Sequence, residues 1–310
     1  MENNHSDADP GNGEARRRPD RPTRLLLWGA VLLLCFSLPL YQWVRFGLGN
    51  DLYSYTLLVP LVSAYLFGSG PTAESVHPRP AFRLFGYLSA GLGVLAACAW
   101  LYAGVTGAGL TVQDAAALSM FAFVLSFAGL CGFTLPPAMQ SRATFPLGFL
   151  IFMVPFPVVL EHGIESLLQH GSAPPAYWLF QLVGTPLLRE GLVFNLPGIS
   201  IQIAPECSGI RSTLVLFMTS ILAGHLFLRT AWRRVALTAF VIPLALARNG
   251  FRVFTIGQLC VSVGPHMIDS PIHHRGGPIF FALSLIPFFI FVFLLVRADR
   301  RASAASPTAS

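Results

Sequence analysis

Residues 204–228 read APECSGIRSTLVLFMTSILAGHLFL, a short polar stretch that opens directly into a long apolar run. The polar part holds Cys207 between an acidic residue and a Ser-Gly pair, whereas residues 210–228 carry only one charged side chain, that of Arg211. About 20 predominantly apolar residues are enough for an α-helix to cross a bilayer. The stretch therefore predicts that a loop outside the membrane becomes a transmembrane helix close to Cys207.

The composition extends this interpretation to the whole chain. Of its 310 residues, 54% are hydrophobic and only 11% are charged, whereas soluble domains are about 25% charged. The net charge of +6 would suit a nucleic-acid-binding protein, but most of the basic residues lie in short loops beside apolar runs, as membrane topology requires. We therefore predict an all-α, polytopic integral membrane protein that is surrounded by the lipid bilayer and has no nucleic-acid partner.

Apolar segments of similar length predict about eight transmembrane helices in all. The segment between the fifth and the sixth is too polar for a span. Its first part, residues 164–188, suggests an interfacial helix divided by Pro174 and Pro175. Its second part, residues 189–206, alternates apolar and polar residues around a Pro-Gly turn, which is typical of a short hairpin, here extracytoplasmic. The predicted spans cover residues 25–44, 52–67, 84–105, 115–135, 145–160, 210–228, 235–261 and 277–296, and Pro155 and Pro157 interrupt the fifth.

The arginines set the orientation of these spans. Most of the 20 basic residues fall in segments that are cytoplasmic if both termini lie inside. Residues 1–23 are then predicted to be a disordered cytoplasmic tail, residues 24–298 the transmembrane domain and residues 299–310 a cytoplasmic basic tail. Cys207 and two later polar stretches, ARNGFRV and HHRGGPIFF, come together on the outer side.

The sequence around Cys207 is suited to a nucleophile. A thiol attacks a carbonyl as the thiolate, and a helix N-terminus favours negative charge through its unpaired N–H groups and its dipole. Ser208 and Gly209 supply a turn that lets the backbone approach. A histidine, His273 or its neighbour His274, can move the proton from the thiol to a leaving amine.

Two arginines of the seventh predicted span can supply a permanent positive charge to the thiolate or to an oxyanion. With a rise of ~1.5 Å per residue, the Cα of Arg252 differs in depth from that of Cys207 by roughly 6 Å, and the Cα of Arg248 by roughly 12 Å. We therefore expect Arg252 to reach the thiol and Arg248, one turn deeper on the same face, to support it.

Other kinds of site find no support in the sequence. The four other cysteines lie in apolar runs without CxxC or Cys/His spacing, so neither a disulfide framework nor a metal site is predicted. No Walker loop, GxGxxG, HExxH or GxSxG motif occurs, and no cofactor is predicted. A competing interpretation is a transporter or polysaccharide-export component, in which Arg248, Arg252 and His273 bind an anionic substrate. Cys207 would then be incidental.

The order and spacing of these motifs resemble the exosortase/archaeosortase family. The stretch APECSGIRS is followed by a span, a basic turn, a span with an N-x-x-R motif ending at Arg252, and an H-x-x-x-G-x-x-x-F motif starting at His273. This combination covers about residues 184–281, whereas the N-terminal half agrees with the family in character only.

The resemblance implies a membrane-embedded cysteine protease or transpeptidase of sortase-like chemistry. The family's Cys, Arg and His map onto Cys207, Arg252 and His273, with His274 as the alternative histidine. The implied substrates are exported proteins that end in a short motif, often Pro-Glu-Pro, followed by a transmembrane helix and a basic cluster. The implied acceptor is an exopolysaccharide or another surface molecule, unless water hydrolyses the intermediate. The implied location is the cell inner membrane, with both termini inside and the active site on the periplasmic side.

Overall fold

The computed structural model describes residues 21–70, 80–107, 109–205, 208–270 and 276–305. Three residues of the predicted site, Cys207, His273 and His274, lie outside the described residues. So do residues 1–20 of the predicted N-terminal tail and the last five residues of the predicted C-terminal tail.

Helices account for most of the described chain. They are α1 (Arg21–Cys35), α2 (Ser37–Gly49), α3 (Val59–Ser69), α4 (Pro80–Thr106), α5 (Val112–Thr134), α6 (Pro137–Phe149), α7 (Val158–Val183), α8 (Ile210–Phe227), α9 (Ala231–Ser262) and α10 (Gly277–Ala305). Short 3₁₀ turns cover Ser54–Leu58, Leu150–Met153 and Pro265–Asp269. The strands are β1 (Leu188–Glu190), β2 (Val193–Leu196) and β3 (Ile199–Gln202).

The lengths and apolar character of the helices make this a polytopic, all-α membrane protein. Within the described residues, five helices (α4, α5, α8, α9 and α10) are long and apolar enough to cross a membrane, and the number rises to seven if each of two bent helix pairs forms one span. The predicted number of eight is not confirmed, because the second predicted span is only a short apolar helical stretch, Ser54–Ser69.

Two of the predicted spans are broken in the structure. The first consists of α1 and α2, which meet at an angle of 67°. The fifth is interrupted after α6, and the chain turns by 89° before it continues as α7. Pro155 and Pro157 lie in this break, where each proline lacks an N–H donor and biases the preceding residue away from helix. The predicted interruption of the fifth span at Pro155 and Pro157 is therefore confirmed.

The helix α7 shows that one prediction was wrong, because Pro174 and Pro175 lie inside it and do not divide it. The proline pair lies where α7 and α9 approach closely, since a Cβ added to Gly250 would be 2.7 Å from the Cβ of Pro175. Packing against a neighbouring helix is what lets membrane helices accommodate proline. The helix ends instead at Gly184, whose φ of 75° is in the left-handed region.

The three strands form an antiparallel sheet in the order β1-β2-β3. A Pro-Gly turn joins β2 to β3, and Gly198 at this turn has a φ of 83°, as the third position of a type II turn requires. One face of the sheet is buried, because Phe194 and Ile201 pack with Phe180 of α7 and Val253 of α9. The predicted extracytoplasmic position of this element stays a prediction.

The last helix, α10, continues through Asp299, the residue at which the sequence predicts the C-terminal tail to begin. Only 4% of Asp299 is exposed. Its carboxylate accepts hydrogen bonds from the backbone N–H of Arg229 at 2.7 Å and from Thr230 Oγ1 at 2.5 Å, and it forms an ion pair with Arg233. These contacts fasten α10 to the turn between α8 and α9. The domain boundaries stay predictions.

Candidate active site

The helix α8 starts at Ile210, directly after a tight turn. The residue before it, Gly209, has a φ of 73°, which strongly favours glycine because a Cβ would crowd the backbone. The carbonyl oxygen of Gly209 accepts hydrogen bonds from the backbone N–H of Thr213 at 3.0 Å and from its hydroxyl at 2.8 Å. The predicted entry into the sixth span is therefore confirmed, three residues after Cys207.

A buried arginine of α9 forms hydrogen bonds with this turn. Arg248 is 8% exposed, and its Nη2 donates to the Gly209 carbonyl at 3.2 Å and to Thr213 Oγ1 at 2.9 Å. Among the described residues, no group forms a hydrogen bond with Arg248 Nη1 or with the buried hydroxyl of Ser208. The structure thus places a buried cation at the residues that immediately follow Cys207. One of its donor groups, Nη1, has no partner among the described residues.

The next residue along α9, Asn249, joins α9 to α7. Its Nδ2 donates to the hydroxyl of Ser172 at 3.1 Å, and both residues are buried. Its Oδ1 lies 3.3 Å from the position that a Cβ on Gly209 would occupy. Sequence reasoning used Asn249 only as part of the N-x-x-R motif and gave it no role. A buried amide in the middle of an apolar span was the available signal, since such a group needs partners.

The helix α7 also holds the chain that leads towards Cys207. The side chain of Gln169 donates to the carbonyl of Ile203 at 3.0 Å, just after β3. Because Gln169 and Ser172 lie one turn apart on α7, this helix positions both the segment that enters the site and the α9 face that carries Arg248. The site is therefore built by α7, α8 and α9 together.

Arg252 lies one turn further along α9 than Arg248. It lines a small cavity of about 110 Å³, opposite residues 200–204, and Ile268 contributes to the same wall. Arg252 thus stands beside the chain that precedes Cys207, whereas Arg248 contacts the turn that follows it. The predicted order of the two arginines relative to the thiol stays a prediction, because Cys207 lies outside the described residues.

A second polar cluster secures the start of α7. The hydroxyl of Tyr53 donates to Glu161 Oε2 at 2.6 Å, and the amide of Gln113 donates to the same oxygen and to the carbonyl of Phe156 at 2.9 Å. Since Phe156 packs near Ile210 at the start of α8, this cluster supports the frame of the site rather than its chemistry.

In the described part of the chain, no three His, Cys, Asp or Glu residues are grouped so that they could hold a metal ion. The other thiols differ in their surroundings, two being exposed and two buried on separate helices. In order of position they are Cys35, Cys98, Cys131 and Cys260.

The fold and the site define a polytopic helical membrane protein in which buried polar side chains from three helices converge where an apolar helix begins. The chain belongs to the transmembrane exosortase family, whose model matches residues 43–290. The match extends well beyond residues 184–281, which carry the motifs. No curated protein and no solved structure matches the chain. Membership of this family supports a general role as a membrane transpeptidase and implies the processing of exported proteins that carry sorting signals.

Proposed function

We propose that the protein is a membrane-embedded cysteine protease and transpeptidase that cleaves the C-terminal sorting signal of exported proteins. The Cys207 thiolate attacks the peptide carbonyl just outside the substrate's membrane anchor. A thioester forms as the C–N bond breaks, and the anchor leaves as an amine after taking a proton from His273 or His274. A surface acceptor or water then attacks the thioester and releases the thiolate.

The observation that carries this proposal is the position of Arg248, whose buried guanidinium donates to the Gly209 carbonyl in the turn that follows Cys207. The same helix carries Arg252 one turn further along, and in a site of low dielectric a fixed positive charge stabilises a developing oxyanion strongly. We assign Arg252 to the thiolate or the oxyanion and Arg248 to the support of the turn. Ser208 and Gly209 set the backbone of that turn.

The proposed orientation puts this site on the periplasmic side of the inner membrane, with both termini in the cytoplasm. The placement of the arginines supports it. A reporter fused after Gly264 should give a periplasmic signal, and one fused after Arg301 a cytoplasmic signal. Signals from the same compartment would refute the orientation.

The proposal is tested with a periplasmic reporter that ends in a Pro-Glu-Pro motif, a transmembrane helix and a basic cluster. The intact enzyme should release the reporter from its anchor, and Cys207→Ala should leave it at full length in the inner membrane. A trapped adduct should link the N-terminal part of the reporter to Cys207, and hydroxylamine should release it, because thioesters react with that amine.

The control is an enzyme in which the four other cysteines are replaced by alanine while Cys207 is kept. This enzyme should still process the reporter, since those thiols lie in predicted apolar spans. Full processing by Cys207→Ala, at unchanged abundance, would refute the cysteine mechanism. It would favour the transporter interpretation, which also accounts for buried arginines within a membrane span.

A further inference from the structure

The strand β3 forms one edge of the sheet. The backbone N–H of Ile203 donates to the carbonyl of Leu192 at 3.1 Å, which fixes the residues of β3 that face β2. Because alternate residues of an antiparallel pair bond to the partner, Ser200 and Gln202 direct their N–H and C=O groups away from β2. Within the described chain, no further strand pairs with this outer edge.

The outer edge of β3 opens onto the cavity that Arg252 lines. Residues 200–204 are consecutive and all border this cavity, although their side chains alternate between the two faces of the sheet. Consecutive residues of a strand can border one cavity in this way along the strand's edge. The opposite wall consists of Arg252, Val253 and Ile256 of α9 together with Ile268.

The two edges of the sheet differ in their protection. The edge strand β1 carries two charged residues, Arg189 and Glu190, in its three positions. The strand β3 reads ISIQ and has neither a charge nor a proline. Natural proteins usually protect an exposed edge with charges, prolines or bulges, because its unpaired backbone groups invite pairing with another chain. The unprotected edge is the one that leads towards Cys207.

We propose that the segment of the substrate next to the cleaved bond binds as an additional strand along the outer edge of β3. This inference rests on the proposed function and specifies how the substrate is held. Backbone hydrogen bonds of this kind hold a peptide in an extended form with little regard to its side chains. A volume of about 110 Å³ equals that of roughly four water molecules, enough for one side chain beside Arg252. The chain reaches Cys207 five residues after β3 ends at Gln202, so a segment bound along this edge lies beside the residues that lead to the thiol.

The test removes an outward-facing donor without removing a bond to β2. Gln202→Pro deletes an N–H on the outer edge, where a strand tolerates proline. We expect this variant to process the reporter at least about tenfold more slowly, because the bound substrate segment loses a hydrogen bond to β3. Gln202→Ala keeps the N–H and should slow processing far less. Arg189→Pro is the matched control, because Arg189 is the outward-facing residue of β1, and its rate should equal that of the intact enzyme.

A labelling measurement and a second proline variant distinguish lost substrate binding from a folding defect. The rate at which a maleimide labels Cys207, in the background lacking the other four cysteines, should be the same in Gln202→Pro as in the parent. If Gln202→Pro does not accumulate, Ser200→Pro removes the preceding outward donor and should also slow processing. Wild-type rates in the proline variants that accumulate, or equal losses in Gln202→Ala and Gln202→Pro, would overturn the edge-binding inference. The proposed function would survive that result, because its own failure would appear as processing by Cys207→Ala.

Discussion

The hairpin of α8 and α9 carries one buried arginine near each end, and the two are held differently. At the connecting turn, Arg233 is 9% exposed and pairs with Asp299, whose carboxylate has further donors from the same turn. At the other end, Arg248 is equally buried at 8% but donates to a carbonyl and a hydroxyl. In the described residues, no carboxylate forms an ion pair with it.

This difference makes Arg233 a structural cation, whereas the positive charge of Arg248 can still act on the groups around it. An arginine neutralised by a carboxylate contributes little potential to its surroundings, and loss of either partner leaves an unpaired buried charge. An arginine bound only to neutral oxygens keeps its positive potential, which favours a thiolate or an oxyanion nearby. We therefore expect substitutions at the turn to affect stability, and substitutions near the start of α8 to affect activity.

The largest effect on stability should come from Arg233→Met. The substitution leaves Asp299 buried without its cation, and breaking a buried pair is strongly destabilising. We expect the Tm in detergent to fall by roughly 10 °C, while the remaining folded enzyme keeps its rate per molecule. Arg229→Ala is the control, because the exposed Arg229 contributes its backbone N–H to Asp299. Equal Tm values for the two variants would contradict a structural role for the pair.

Of the two arginines near the start of α8, Arg252 should show the larger effect on activity, and Arg252→Lys should lose about 100-fold. A lysine keeps the charge but lacks the planar, multi-donor group of arginine. Arg248→Lys should be milder, because this residue is predicted to support the turn without touching the thiol. Rates of reporter processing at matched abundance measure both effects. If Arg248 proves the less tolerant position, the predicted depths of the two arginines are wrong.

A smaller effect is expected from Gly209→Ala. The left-handed backbone costs a non-glycine residue roughly 1–2 kcal/mol, and the new Cβ would lie 3.2 Å from Arg248 Nη2. The substitution should therefore both destabilise the turn and displace the guanidinium, lowering the processing rate. Gly191→Ala separates these effects, since Gly191 has a φ of 62° and no neighbour within 4 Å of an added Cβ. A similar loss of processing in both variants would show that backbone strain alone is responsible.

The smallest effect should come from Tyr53→Phe, which removes one hydrogen bond to Glu161 and costs about 1 kcal/mol. Thermal unfolding in detergent should therefore give a Tm about 3 °C below that of the intact enzyme. A loss as large as that of Arg233→Met would contradict the order of the two effects.

The sequence predicts where the apolar helices lie better than it predicts where they bend. The spans that became α4, α5, α8, α9 and α10 are continuous apolar runs, and hydrophobicity alone locates them. The bend after α1 does not appear in such a pattern, because an apolar run has the same composition whether it is straight or broken. Prolines predict a break correctly at Pro155 and Pro157 but wrongly at Pro174 and Pro175, which lie inside a helix.

The sequence predicts which residues belong to the site, but it does not predict which of them are in contact. The motifs point to Arg248, Ser208 and Gly209 as neighbours of Cys207, and the structure brings the first and the last of these three into contact. The bond from Asn249 to Ser172 spans 77 residues, and no periodicity within either helix relates two such distant positions. The ion pair of Arg233 joins residues 66 apart. Pairings of this kind depend on how helices pack, which a single sequence does not specify.

The distance in sequence between Ser172 and Asn249 also sets an order of events during synthesis. At about 5–20 residues per second, the 77 residues between them take roughly 4–15 s to make. In the later part of that interval α7, the sheet and the start of α8 have been synthesised, but Arg248 and Arg252 have not. Under the proposed mechanism, a nascent chain that bears Cys207 thus lacks the charges that would activate the thiol. The thiol would become reactive only when α9 has been inserted beside α7, so a prematurely terminated chain should remain inert towards neighbouring membrane proteins.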